Sequence, residues 1–197
     1  MRSYSQFNID LYLIDIFKNI KNGFFIEAGA NDGVNQSNTY LIEKFLGWNG
    51  LLVEPNKHSY NKCVSNRNCF VENYALVSYN YESDSISGDF DSIHIDGSMM
   101  GGCTTKHINN SVAKAIQLSK LLTKYNIEKI DFLSIDVEGY EFDALDGLDF
   151  NIHKPMYILY EHHDQFGFNC DYEKYFTNKK YKKIHTFSNH HTLFKYI

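Results

Sequence analysis

The sequence predicts an α/β fold in which a mostly parallel sheet is covered by helices on both faces. Short apolar runs of strand length alternate along the chain with segments of helical period, which is the pattern of strand–helix–strand units. Of the 197 residues, 43% are hydrophobic and 22% are charged, so the chain can build a full globular core. It contains only 2 prolines, and no Pro-rich linker divides it.

The expected elements follow one another in a regular order. The strands are apolar throughout, as strands buried on both faces are, and lie at residues 24–28, 51–55, 70–77, 130–136 and 156–161. The helices carry apolar residues every three or four positions, at residues 7–20, 37–46, 59–65, 140–148 and 171–179. A hairpin of residues 181–187 and 192–197 would add one antiparallel strand. We expect a helix within residues 1–22 to cover one face of the sheet, and residues 23–197 to form a single domain.

Two stretches are less regular. Residues 78–110 are polar and contain glycines, with a half-buried strand expected at 93–95 and a flexible loop at 99–102. Residues 111–126 fit either a strand at 112–117 followed by a short helix, or one continuous helix. The sequence leaves both interpretations open.

The charge balance argues against a nucleic-acid partner. The chain has 19 basic and 24 acidic residues, a net charge of −5, whereas proteins that grip phosphates usually carry a basic excess. One local cluster is basic and is interpreted as a solvated helix end and edge strand: Lys179, Lys180, Lys182 and Lys183. We therefore predict that the chain binds no nucleic acid.

The cysteines and the N-terminus predict a cytoplasmic protein. Cys63, Cys69, Cys103 and Cys170 form no C-x-x-C pair and no zinc-type spacing, so they are interpreted as reduced thiols. No apolar segment before a small-residue cleavage site indicates a signal peptide, and no apolar run has the length of a membrane span. We expect an intracellular chain without a membrane partner.

The turn after the first strand, E-A-G-A-N-D-G at residues 27–33, has the composition of a ligand-binding turn. Glycines let a backbone pass close to a ligand, and a following helix offers free N–H groups. A dinucleotide fingerprint requires G-x-G-x-x-G, and Asn31 stands where the second glycine would be. Asn31, Asp32 and Glu27 suit an ammonium group better than phosphates. A plain strand-to-helix turn is the alternative.

Acidic residues follow three further strands. Glu54 ends the second strand, where a carboxylate in doubly wound folds can accept both ribose hydroxyls. The block D-V-E-G-Y-E at residues 136–141 follows the fourth strand, and crowded acids of this kind raise one another's pKa or bind a cation. Residues 161–164, E-H-H-D, follow the fifth strand and could supply a base or metal ligands beside Asp136. Surface histidines in a turn are the alternative for that segment.

Taken together, these blocks resemble the FkbM family of S-adenosylmethionine-dependent methyltransferases. The resemblance covers roughly residues 23–195 and rests on the matches at 25–33, 36–40, 50–55, 75–76 and 130–141. It implies a class I methyltransferase fold, which is Rossmann-like and doubly wound, with a mostly parallel seven-stranded sheet and a C-terminal antiparallel hairpin. Residues 23–197 would then be one methyltransferase domain.

The resemblance also implies a role for each block. The implied cofactor contacts are Glu27, Gly29, Asn31 and Gly33 on the methionine part, Glu54 on the ribose, Asn73 and Ala75 near the adenine, and Asp136 beside the transferred methyl group, with Asp32 and Ser37 as further contacts. Characterised members mostly methylate hydroxyls of sugars or natural products. The expected reaction is therefore O-methylation of a small-molecule or glycan acceptor.

An alcohol acceptor must lose a proton, so a catalytic base is needed. Asp136 is the first candidate for base or metal ligand, followed by Glu138 and His162. A Mg²⁺ ion held by Asp136 and Glu161 would lower the pKa of the acceptor, and is kept as an option. Two alternatives remain open, a nicotinamide-dependent oxidoreductase and a non-catalytic cofactor-binding module of the same fold. Neither the acceptor nor the oligomeric state follows from the sequence.

Overall fold

The computed structural model describes residues 1–90, 111–162, 171–188 and 190–197. The strands in these ranges are β1 (Phe24–Ala28), β2 (Asn49–Val53), β3 (Phe70–Glu72), β4 (Ala75–Leu76), β5 (Ser85–Gly88), β6 (Ser111–Ile116), β7 (Phe132–Ile135), β8 (Tyr157–Glu161), β9 (Tyr181–Phe187) and β10 (His191–Tyr196). The helices are α1 (Ile9–Phe17), α2 (Tyr40–Leu46), α3 (Lys57–Asn66), α4 (Leu118–Lys124), α5 (Glu141–Asp146) and α6 (Tyr172–Asn178).

Seven strands form the main sheet, in the order β3-β2-β1-β7-β8-β10-β9. The first five strands in this order, β3, β2, β1, β7 and β8, run parallel to one another. Strand β10 is antiparallel to both of its neighbours, β8 and β9. The strand order reverses at β1, and ligands of doubly wound sheets bind beyond the strand ends at such a point. The α/β class, the mostly parallel seven-stranded sheet and the antiparallel C-terminal hairpin are confirmed.

Both faces of this sheet are packed, because successive residues of a strand point to opposite faces. One core joins residues of α1, α2 and α3 to Phe25, Leu52, Phe132, Leu159 and Leu193. The other joins residues of α4, α5 and α6 to Ile26, Leu51, Leu133, Ile158 and Phe194. The strands β2, β1, β7 and β8 each contribute to both cores, which explains why they are apolar almost throughout their length.

The N-terminal helix is shorter than the sequence suggested. The Asp10 carboxylate accepts hydrogen bonds from the backbone N–H groups of Tyr4 and Ser5, so the residues before Ile9 wrap around this side chain instead of extending the helix. Phe7 lies before α1 and is 54% exposed. Phe17 is fully buried in the core described above, so α1 does cover one face of the sheet. The domain boundary after residue 22 stays a prediction.

The third predicted strand is interrupted. β3 ends at Glu72, and β4 belongs to a second, three-stranded sheet of order β4-β6-β5. Between them the Asn73 side chain donates hydrogen bonds to the carbonyls of Glu54 and Pro55, both at 2.8 Å, where the chain leaves the main sheet. The single strand expected at 70–77 is therefore wrong.

Residues 111–126 form β6 followed by α4, so the strand-plus-helix interpretation is confirmed and the continuous helix is wrong. The strand expected at 93–95 and the loop at 99–102 lie outside the described residues. In the part of the chain that the structure describes, no helix has both the length and the apolar character of a membrane span.

Candidate active site

The polar residues that follow the strands form one row across the sheet. The register aligns the last paired residues of the five parallel strands, which are Glu72, Val53, Ala28, Ile135 and Tyr160 in sheet order. One residue further along each strand gives Asn73, Glu54, Gly29, Asp136 and Glu161, and β10 adds His191, which pairs directly with Glu161. The four acidic or glycine blocks of the sequence thus meet at one edge of the sheet.

A pocket opens along this row. It is lined by the first turn (Ala28, Gly29, Ala30, Asn31, Asn35, Gln36, Ser37), the end of β2 (Val53, Glu54, Pro55), the second sheet and its approach (Tyr74, Ala75, Leu76, Phe90) and the acidic block (Asp136, Val137, Glu138, Tyr140). Of the predicted site residues, the pocket wall includes Gly29, Asn31, Ser37, Glu54, Ala75, Asp136 and Glu138. It does not include Glu27, Asp32, Gly33, Asn73, Glu161 or His162.

Gly29 is required by the packing of the turn itself. Its φ of +78° is left-handed, and a Cβ at this position would lie 1.7 Å from the carbonyl oxygen of Asp136. The backbone of β1 therefore touches the start of the acidic block directly. A side chain at this position would push the first turn away from the acidic block even in the absence of a ligand.

Glu54 is buried and holds the turn by its carboxylate. One oxygen accepts a hydrogen bond from the backbone N–H of Asn31 at 2.8 Å, and the other accepts from the N–H of Asn56 at 2.8 Å. Burial raises the pKa of Glu54 to about 7, although these two hydrogen bonds oppose the shift. Glu54 thus faces the pocket as a carboxyl group that titrates near neutral pH.

Glu27 lies in a buried network behind the pocket wall. Its oxygens accept hydrogen bonds from the Ser37 hydroxyl at 2.8 Å, the Thr39 hydroxyl at 2.7 Å and the Asn38 N–H at 2.6 Å. Residues 37–39 were predicted to begin a helix, but α2 begins at Tyr40 because this segment wraps around the carboxylate. Glu27 therefore shapes the loop that carries Ser37 into the pocket.

Arg67, at the end of α3, completes this network from the other side. Its guanidinium is fully buried, donates to Glu43 at 2.7 Å and to the carbonyl of Gly33 at 2.9 Å, and lies 3.6 Å from Glu27. Burial would lower the pKa of Arg67, but the charges of Glu27 and Glu43 raise it. The guanidinium thus neutralises two buried carboxylates and ties the first turn to α3.

Asp32, Gly33 and Asn73 have structural contacts. The Asp32 carboxylate accepts from the backbone N–H groups of Val34 and Asn35 and closes a short turn. Gly33 has a φ of +79° beneath the Arg67 side chain, which a Cβ would approach to 2.9 Å. Asn73 fixes the end of β2, as described above.

The acidic block forms a tight loop after β7. Glu138 and Gly139 both have positive φ angles, and the buried Glu141 carboxylate accepts from the N–H groups of Val137 and Gly139 at 3.1 and 2.9 Å. Burial raises the pKa of Glu138 to about 8, helped by the nearby charges of Asp136 and Glu141. Glu138 lines the pocket as a more basic group than an ordinary carboxylate.

Asp136, Glu161 and His191 form a cluster at the end of the row. One nitrogen or oxygen from each residue lies within 4.8 Å of the others. The His191 Nε2 atom is 3.8 Å from Asp136 Oδ2 and 3.7 Å from Glu161 Oε1. Burial raises the pKa of Glu161 far above its usual range, and the charge of Asp136 adds to the effect.

His162, the third catalytic candidate, lies apart from the pocket wall. Its ring stacks on Tyr172 at 4.5 Å, and its Nε2 is 3.3 Å from the Thr192 hydroxyl. Of the two predicted site residues at the end of β8, Glu161 lies in the cluster with Asp136, and His162 packs against α6. His163 and Asp164 lie outside the described residues.

The sequence matches the methyltransferase FkbM domain over residues 27–195. The chain belongs to the FkbM methyltransferase family. This confirms the family resemblance, and the seven-stranded sheet with its antiparallel hairpin is that of class I methyltransferases. No curated protein matches the sequence.

Two solved structures share the fold at low sequence identity. One is the protein from Pyrococcus horikoshii named "putative RNA methyltransferase PH1948", with 13% identity and a TM-score of 0.51, covering 97% of this chain and 83% of that chain. The other is the METTL16 MTase domain, with 10% identity and a TM-score of 0.53, covering 96% of this chain and 66% of that chain. At such low sequence identity, these two structures show only that this FkbM family member shares their fold.

Sequence reasoning missed two residues of the site. Arg67 is one of only two arginines in a chain rich in lysine, and a bidentate donor is the residue expected between buried carboxylates, so its rarity was a usable signal. His191 lies between the two predicted hairpin strands, 181–187 and 192–197, and was given no role. Its proximity to Asp136 depends on β10 lying beside β8, which no local pattern reveals.

Proposed function

We propose that this methyltransferase uses S-adenosylmethionine to methylate a hydroxyl group of a sugar or a small natural-product-like acceptor. The observation that carries the proposal is the single row in which a carboxylate suited to a ribose diol, Glu54, and the acidic block around Asp136 line one pocket. Family membership supplies the reaction class. When bound, the cofactor provides an electrophilic methyl carbon on a sulfonium.

The pocket residues fit this cofactor. Glu54 has two oxygens for two ribose hydroxyls, and among the described residues each oxygen accepts one hydrogen bond, from Asn31 or from Asn56, which leaves it capacity for a second. The wall beyond Glu54 is mostly apolar, with Leu76 and Phe90 available to the adenine ring. Ser37 and the Asn31 backbone lie at the other end, where the methionine part would bind. In this proposal Glu27 acts on the cofactor indirectly, through Ser37.

The chain's chemical task is to align the acceptor and to take its proton. Alignment is the larger contribution in an in-line displacement, and the rigid loop held by Glu141 supports it. For proton removal, Asp136 and Glu138 both line the pocket. Once deprotonated, Glu138 is a stronger base than an ordinary carboxylate, because its pKa is about 8, and its deprotonated fraction grows as the pH rises towards that value. His162 remains a weaker candidate because it packs against Tyr172.

A small neutral acceptor fits the electrostatics better than RNA. The chain has a net charge of −5, and the described wall of the pocket contains no lysine, arginine or histidine. A phosphodiester chain entering the pocket would therefore find no cation to neutralise its phosphates. We therefore propose a small-molecule or glycan acceptor, and treat RNA, suggested by the name of PH1948, as the competing class. A cytoplasmic location is part of the same proposal.

The test has two steps. Calorimetric titration with S-adenosylhomocysteine should show one site, whereas NADH should not bind, which separates the methyltransferase from the oxidoreductase. Turnover is then followed as S-adenosylhomocysteine formed from S-adenosylmethionine, with panels of sugars, polyols and phenols and, separately, RNA oligonucleotides. Turnover on an alcohol supports the proposal. Turnover confined to RNA refutes the acceptor class, and binding without turnover on any panel favours the non-catalytic module.

A further inference from the structure

The cluster of Asp136, Glu161 and His191 has the geometry of a metal site. Glu161 and His191 are directly paired across β8 and β10, so their side chains share one face of the sheet, and Asp136, the residue directly after β7, occupies the next position of the same row. Three adjacent strands thus contribute one ligand atom each, all within 4.8 Å of one another. Strand-end positions of a packed sheet hold side chains more rigidly than loops do.

The imidazole of His191 supplies the second, independent observation. Its side chain is only 3% exposed, and its buried Nδ1 atom has no hydrogen-bond partner among the described residues. The other ring nitrogen, Nε2, faces the two carboxylates at 3.8 and 3.7 Å, which is longer than a hydrogen bond. Two ligands that are each about 2.1 Å from a common ion, at an angle of about 120°, lie at this separation.

From this geometry we infer that Asp136, Glu161 and His191 bind a divalent transition-metal ion, with Mn²⁺ as the best-matched representative. One imidazole nitrogen and two carboxylate oxygens form a mixed donor set. Imidazole favours transition metals, while carboxylates suit Mn²⁺ as well as Mg²⁺. Mg²⁺ is more often held by one or two carboxylates and several waters, so the nitrogen ligand turns the preference away from the Mg²⁺ that the sequence suggested.

The ion would lie at the acceptor end of the pocket. Asp136 is at once a ligand and part of the pocket wall, and three protein ligands leave coordination positions open. An acceptor hydroxyl occupying one of them would lose its proton at lower pH than in water. This role rests on the proposed function, whereas binding of the ion rests on the cluster alone.

The experiment measures Mn²⁺ binding without cofactor and without acceptor. Chelator-treated protein is titrated with MnCl₂, and free Mn²⁺ is followed by electron paramagnetic resonance. One site should appear in the wild type, and Mg²⁺ should compete only when in excess of about tenfold. His191→Asn and Glu161→Gln should each weaken Mn²⁺ binding by about tenfold or more, since even residues that only support a ligand contribute that much. His185→Asn is the matched control, because His185 is an exposed histidine of β9 stacked on Tyr12.

A second measurement needs no variant. Pulsed electron paramagnetic resonance of the wild-type Mn²⁺ complex should show coupling to an imidazole nitrogen. Absence of Mn²⁺ binding, absence of the nitrogen coupling, or equal affinity in a folded His191→Asn variant would each overturn the inference, the last indicating that a proton occupies the cluster instead. Failure of the proposed function is distinguishable, because it appears as absent S-adenosylhomocysteine binding or absent methyl transfer while Mn²⁺ binding persists.

Discussion

Two groups of buried carboxylates lie at opposite ends of the site, in opposite electrostatic settings. Behind the first turn, on α2, burial alone would raise the pKa of Glu43, but hydrogen bonds from Lys44 and Arg67 bring it down to about 2. At the acidic block, burial and neighbouring acids raise the pKa of Glu138 to about 8. Buried carboxylates at one end are neutralised and hold the turn in shape. Those at the other end keep a high proton affinity next to the pocket.

Removing Arg67 should have the largest effect. Arg67→Met would leave Glu27 and Glu43 buried without their shared cation, and breaking a buried ion pair from one side costs about 3–5 kcal/mol. We expect a loss of this size in the free energy of unfolding, measured by urea denaturation. S-adenosylhomocysteine binding should weaken in parallel, because Ser37 loses its support.

Lys18→Met provides the comparison, since Lys18 pairs with Asp15 on the exposed surface. Its effect should stay within about 0.5 kcal/mol of zero. If Arg67→Met were equally mild, the first turn would not depend on this network, and the contrast between the two ends of the site would be wrong.

At Gly29 the backbone of the first turn touches the backbone of Asp136, and Gly29→Ala tests that contact. The variant combines a left-handed residue with a Cβ 1.7 Å from the Asp136 carbonyl oxygen, and we expect a loss of about 2–5 kcal/mol in the free energy of unfolding. Gly47→Ala separates the two causes, because Gly47 has a φ of +66° but no atom within 4 Å of a Cβ. Equal losses in the two variants would show that the contact with Asp136 contributes nothing.

The sequence predicted the fold well because the core strands are apolar on both faces and the acidic blocks follow them directly. It also brought Glu54, Gly29 and Asp136 to one edge of the sheet, since parallel strands end together. The sequence could not show which carboxylates are neutralised by a cation and which lie in the acidic cluster. That division depends on Arg67, which reaches Glu27 from the end of α3, and on His191, which reaches Asp136 across β8.

The same logic explains why Glu27 was predicted as a cofactor contact. An acid in a glycine-rich turn has the same local pattern whether its carboxylate faces a ligand or the Ser37–Thr39 segment. Only the three-dimensional path of residues 37–39 distinguishes the two. In the same way, the break of the third strand at Asn73 depends on carbonyl groups of β2 that are distant in sequence.

At the acceptor end, Asp136→Asn should affect turnover more than folding. The change keeps the size of the side chain but removes its charge, so turnover should fall by about 100-fold while the affinity for S-adenosylhomocysteine stays near the wild-type value. Initial rates on an acceptor identified by the panels described under the proposed function, together with calorimetry, measure both quantities. Asp146→Asn is the control, because Asp146 is an exposed residue of α5. A fully active Asp136→Asn variant would remove the acidic block from the catalytic centre.

Glu54 connects the two ends, and the smallest predicted effect concerns its titration. Glu54→Ala should weaken cofactor binding by about 1–3 kcal/mol, because two ribose hydroxyls lose a charged acceptor. The pKa of Glu54 is about 7 in the folded protein, and the carboxylate accepts both hydroxyls only when deprotonated. The wild-type affinity for S-adenosylhomocysteine should therefore rise with pH and level off above about pH 7, with a limiting slope of about tenfold per pH unit below it. Calorimetry over about three pH units, centred on about pH 7, measures this profile.

Stability should show the opposite trend. Burial raises the pKa of Glu54 from its ordinary value of 4.5 to about 7, so the folded state binds the proton more tightly than the unfolded state does. The resulting stabilisation is fully present below the ordinary pKa and is lost as the pH rises through the folded pKa. The difference in unfolding free energy between wild type and Glu54→Ala should therefore move in favour of the variant as the pH rises to about 7, while the difference in cofactor affinity moves in favour of the wild type. If both differences were independent of pH, Glu54 would be ionised throughout this pH range, and burial would not raise its pKa.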